Sequence, residues 1–137
     1  MNLARRSFFW SGVYGLVVLI PMYFFEHRTG IDTPPPITHP EFYYGFIGVA
    51  IAWQMAFIVI SRDPVRFRPL MIPAIVEKLS FIAALVGLFS LGRTSDPMLA
   101  LAGALDAVML ALFVASYGAT RTVDHGRPGE RKLWMKE

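Results

Sequence analysis

Residues 98–117 read MLALAGALDAVMLALFVASY, twenty residues whose only charge is Asp106. At 1.5 Å per residue, twenty helical residues cover about 30 Å, the thickness of the hydrocarbon core of a bilayer. In lipid the backbone has to satisfy its own hydrogen bonds, and a helix does so within one segment. This stretch therefore predicts a transmembrane helix. Asp96-Pro97 just before it is a start signal, because an aspartate caps and a proline fits the first turn. Gly103, Ala107, Ala111 and Ala115 fall four apart and form a small-residue stripe suited to close helix packing.

The same pattern recurs toward the N-terminus. Residues 70–91 form a third span, with Pro73 in its first turn and Glu77 and Lys78 well inside. The turn before it holds Asp63-Pro64 and three arginines, Arg62, Arg66 and Arg68. Residues 43–60 form a second span in which Gln54 is the one strongly polar side chain. Gly45 and Gly48 would allow a close helix contact there, and Tyr43, Tyr44 and Trp53 read as interfacial or packing aromatics. Upstream, Pro34-Pro35-Pro36 predicts an extended polyproline segment within a loop over 26–41. Thr38-His39-Pro40-Glu41 then reads as a capped helix start, with Thr38 as cap and Glu41 as the capping-box acid.

Residues 8–25 form the first span, with Pro21 in its last turn. Arg5-Arg6-Ser7-Phe8-Phe9 also resembles the opening of a twin-arginine signal. The run is long and aromatic, however, and Glu26-His27-Arg28 follows where a small-residue cleavage site would stand. An uncleaved helix is the preferred reading. The expectation is an all-α integral membrane protein, a four-helix bundle running up-down-up-down over residues 1–119. A polar, basic tail fills 120–137, where Trp134 and Met135 read either as membrane-surface contacts or simply as tail residues, and His125 has no assigned role.

Composition agrees. Of 137 residues, 55% are hydrophobic and 17% charged, against about 25% charged in soluble domains. There is no cysteine, so disulfides, thiol catalysis and cysteine-based metal sites are excluded. Lysine and arginine favour one side ten to two, with Lys78 left out as intramembrane. By the positive-inside rule both termini and the Arg62–Arg68 turn face the cytoplasm. The basic residues line the spans and form no patch on a soluble module, so nucleic acid is not a predicted partner.

Charged groups within the spans are the candidate functional residues. Each costs about 2.5–3.5 kcal/mol at a bilayer centre on insertion scales, so it needs a partner or a task. Counted from the cytoplasmic ends of their spans, Gln54 lies about 9 Å deep, Glu77 and Lys78 about 10–12 Å, and Asp106 about 16 Å. All four can meet in one cluster. Glu77, Ser80, Ala84 and Gly87 share a face of the third span, and Asp106 stacks with Ala102, Gly103 and Leu110 on the fourth. The plainer reading treats these groups as packing glue, with Lys78 snorkelling to the headgroups. Glu26, His27, Asp32, His39 and Glu41 in the first loop match no metal-ligand spacing, so no metal is predicted. No histidine lies within a span, which argues against histidine-ligated haem, and no cofactor is expected. Walker, GxSxG, HExxH and GxGxxG signatures are missing.

Tyr43-Tyr44-Gly45-Phe46, Ala52-Trp53-Gln54, Arg62-Asp63-Pro64, Arg66-Phe67-Arg68-Pro69-Leu70 and Glu77-Lys78-Leu79-Ser80 resemble stretches of uncharacterised bacterial four-helix membrane proteins. In size and layout the chain is similar to the DoxX-like group. The resemblance implies an inner-membrane bundle, and some related folds hold a lipophilic ligand against buried acids. Three readings follow. The bundle binds a lipophilic small molecule or a membrane partner. Alternatively it is a membrane enzyme or proton-coupled carrier working through a buried carboxylate. The third reading is a structural subunit, a homo-oligomer or part of a complex, packing through the stripe at Gly103 to Ala115.

Overall fold

The computed structural model describes residues 2–32 and 36–124, with side chains as far as Arg121. Its regular elements are all helical: α1 (Asn2–Met22), α2 (Glu26–Asp32), α3 (Pro40–Arg62), a single 3-10 turn (Arg68–Leu70), α4 (Met71–Ser90) and α5 (Pro97–Asp124). Four stretches are long and apolar enough to cross a membrane: Asn2–Met22, Pro40–Arg62, Arg68–Ser90 and Pro97–Arg121. The expected all-α, four-span layout is the observed one.

The boundaries differ for identifiable reasons. α1 begins at Asn2 because nothing in residues 2–7 breaks a helix, so Arg5 and Arg6 lie within it. It ends at Met22, one residue after Pro21, where the bonds tighten to i,i+3 from Tyr23 to Ile20 and from Phe24 to Pro21. The loop expected over 26–41 contains a helix. Prolines restrict themselves and the residue before them, which leaves residues 26–32 free to coil. Glu26 opens α2, and Arg28 pairs with Asp32 one turn on at 3.3 Å. Pro34 and Pro35 of the proline run lie outside the described residues, as do His125, Trp134 and Met135.

α3 starts as Pro40 predicts, but the cap position is His39 and no side chain caps it. Glu41 bonds His39 Nδ1 at 3.0 Å, so the expected capping box with Thr38 does not form. Asp96 does cap α5, accepting from the Met98 amide at 2.8 Å. Asp63 accepts from the Arg66 amide at 3.1 Å and closes the turn between α3 and α4. α5 continues to Asp124, so the first residues of the expected tail are helical.

α1 packs along α3, and α5 packs against both α4 and α1. Although a short turn joins them, α3 and α4 barely touch. The helices thus lie in an arc, α3–α1–α5–α4, open between its two ends. The core occupies one end of the bundle along the helix axes, where Ala4, Phe8, Phe57, Ile60, Met71, Ala74 and Phe113, drawn from all four long helices, are buried together. Phe8 stacks on Phe113 with ring centres 4.0 Å apart, and Phe57 meets both rings edge-on. Arg68 lies 4.0 Å over the Tyr117 ring and fastens the α3–α4 turn to α5. At the opposite end, Tyr43 donates to the Met22 carbonyl at 2.7 Å and Tyr44 to Glu26 at 2.8 Å. These bonds hold α2 across the α1–α3 pair.

The close approach of α1 to α3 does not use Gly45 or Gly48, which face open space. It uses Gly12 and Gly15. A Cβ at Gly12 would stand 2.8 Å from the Gln54 carbonyl oxygen, and one at Gly15 would collide with the Gln54 side chain. Large apolar side chains such as Val17, Val49, Val76 and Val108 point outward and are exposed. That is the expected outer surface of a bundle whose solvent is hydrocarbon.

Candidate functional site

The chain places small residues along one face of α1, and this positions everything above the core. Ala4, Ser7, Ser11 and Gly15 recur at three- and four-residue steps and are buried. They let α3 lie close enough for Gln54 to fill the space over Gly15. Gln54 is 4% exposed, and its amide nitrogen donates to the Ala50 carbonyl one turn back at 3.2 Å.

Opposite Gln54, α4 and α5 bring three charged groups together. Lys78 Nζ lies 3.1 Å from Asp106 Oδ1 and 3.3 Å from Glu77 Oε2. The Lys78 side chain is 8% exposed, Asp106 15% and Glu77 25%. Lys78 is turned into the bundle and does not snorkel. Its ammonium also stands 5.7 Å from the centre of the Phe57 ring, so the charged group rests directly on the aromatic core. Glu77 Oε2 is buried and, despite its proximity to the ammonium, receives no hydrogen bond.

All four candidates, Gln54, Glu77, Lys78 and Asp106, line one cleft of about 360 Å³. That volume falls within the roughly 300–1,000 Å³ of small-molecule pockets. Three of the four make direct contact. Gln54 shares the cleft, but the bond it makes is to its own helix. The cleft rises from the polar floor between the α1–α3 and α4–α5 pairs. Its walls are mostly apolar or aromatic and include Tyr14, Val18, Phe46, Phe81 and Met109. Tyr14, Val18 and Phe46 are exposed, as the arc's open edge requires.

Several lining residues carry no charge and escape a search for ionisable groups. Ser11 and Gly15 are detectable from their four-residue spacing with Ser7. Phe46, Phe81 and Met109 have no such signal, because every span is rich in apolar residues. Ser80 lines the cleft beside Glu77 as their shared face predicts, whereas Ala84 and Gly87 do not. The acids of the first loop are engaged separately: Glu26 with Tyr44, Asp32 with Arg28, and Glu41 with His39. Among the described residues, no three histidines or acids gather as metal ligands would.

The stripe at Ala107, Ala111 and Ala115 is exposed, on the side of α5 turned from its neighbours. Gly103 differs, since a Cβ there would stand 2.7 Å from Leu85 of α4. No protein family, curated protein sequence or solved structure matches the chain.

Proposed function

We propose that this chain is a multi-pass protein of the bacterial inner membrane, with both termini in the cytoplasm, that holds a lipophilic small molecule in its side-opening cleft. The observation that carries this reading is the cleft's make-up, with apolar walls standing on an ion-paired floor of Glu77, Lys78 and Asp106. Ligand pockets of this kind combine largely apolar lining with a few placed polar groups that fix orientation. A floor of charges inside a membrane span is also costly to keep without a task. The excess of basic residues at the core end supports the assigned orientation. The DoxX-like layout is in keeping with the reading as analogy at the level of fold.

Asp106→Asn tests it. Lys78 retains Glu77 as a partner in this variant, so the fold is expected to survive. Protein purified in mild detergent is analysed by mass spectrometry for bound small molecules, beside its thermal unfolding midpoint. A lipophilic compound present in the wild type and lost from a folded Asp106→Asn protein is the expected result. If nothing specific co-purifies with either protein and only stability changes, the polar cluster is packing glue.

A further inference from the structure

The charges on the cleft floor do not balance. Glu77 and Asp106 contribute two carboxylates, and Lys78 contributes the one ammonium that faces them. Among the described residues, no other charged side chain lines the cleft. With all three ionised, the floor has one excess negative charge inside an apolar wall. An uncompensated charge in such surroundings is strongly disfavoured and draws in an opposite charge or a proton. Glu77 Oε2, buried and without a hydrogen bond although 3.3 Å from the Lys78 ammonium, keeps acceptor capacity for such a partner.

The walls select between partners. Three aromatic side chains, Tyr14, Phe46 and Phe81, line the same cleft. The face of an aromatic ring attracts a cation, most strongly where water is excluded. An anionic head would meet two carboxylates and only one ammonium, already engaged. A small hydrated metal ion would leave the long apolar walls unfilled. An organic ammonium carrying an aliphatic tail satisfies both halves of the site.

We propose that the cleft is selective for a cationic amphiphile, with an ammonium head on Glu77 and Asp106 and an aliphatic tail between the α1–α3 and α4–α5 pairs. This inference rests on the reading of the cleft as a lipophilic site and adds the chemistry of the head. The tail leaves by the open side of the arc, where α3 and α4 barely touch.

The test uses the full chain in phosphatidylcholine nanodiscs, titrated calorimetrically with dodecylamine, dodecanol and dodecanoic acid, with empty nanodiscs as the blank. The three probes share a tail and differ in the charge of the head. Wild-type protein is expected to bind the amine at least tenfold more tightly than the alcohol, and the acid least. Glu77→Gln removes the excess charge and keeps the Lys78–Asp106 pair, so it is expected to bring amine and alcohol to similar affinity. Ser80→Trp obstructs the cleft without altering a charge and is expected to abolish saturable binding of all three. Equal binding of amine and alcohol by the wild type would overturn the head-group inference and leave the lipophilic cleft standing. So would an amine preference that Glu77→Gln leaves intact. Saturable binding of none of the probes would overturn both.

Discussion

Lys78 shows how a single residue sets the character of the site. Its neighbours Glu77 and Asp106 come from different helices, and the ammonium between them is what lets two acids share a dry interior. Removing one partner of a buried ion pair costs about 3–5 kcal/mol, whereas a pair left intact is often close to neutral for stability. The cluster is therefore weak evidence for a stabilising role. Gly15 is its uncharged counterpart across the cleft. Gly15→Leu would drive a side chain into the space Gln54 fills. Overpacking of this kind costs about 1–3 kcal/mol. The expected outcome is a lowered unfolding midpoint in detergent, while Gly48→Leu, facing open space, leaves it nearly unchanged.

At the level of the helix, α5 has two working faces. One carries Asp106, Phe113, Ser116 and Thr120 inward, and the other exposes Ala107, Ala111 and Ala115. If the outer stripe seats a second copy or a partner helix, Ala107→Leu will convert an assembled species to monomer in mild detergent, as read by light scattering. An unchanged mass assigns the stripe to lipid. The spans were legible in the sequence because the bilayer demands long apolar runs, and Asp106, Glu77 and Lys78 were legible because charge in those runs is conspicuous. α2 was hidden by the three prolines after it, whose influence does not reach back beyond the preceding residue. Which glycines mediate close packing was not legible either. Gly12 and Gly15 contact α3 while Gly45 and Gly48 do not, and that depends on the facing helix, not on the residue itself. The apolar walls of the cleft were unreadable for a similar reason, since Phe46 and Phe81 resemble many other span residues that face lipid.

The whole molecule is two helical hairpins joined firmly at one end. Phe8, Phe57 and Phe113 clamp them there, and the Arg68–Tyr117 contact reinforces the clamp. The absence of cysteine allows the opposite arrangement to be imposed. Cysteines replacing Phe46 and Ser80, joined by a short bifunctional thiol reagent, would tie α3 to α4 across the gap. Against the untethered double variant as baseline, the tethered protein is expected to lose binding of lipophilic probes while its unfolding midpoint is retained or raised, and cleaving the tether should restore binding. Binding that persists in the tethered protein would mean that the gap is not the route of access. The aromatic clamp also has a consequence for traffic. Because the packed rings of Phe8, Phe57 and Phe113 lie next to Lys78, that end of the hollow is closed: if the cleft takes a lipophilic guest, the resting shape is a cul-de-sac, entered and left by the same mouth.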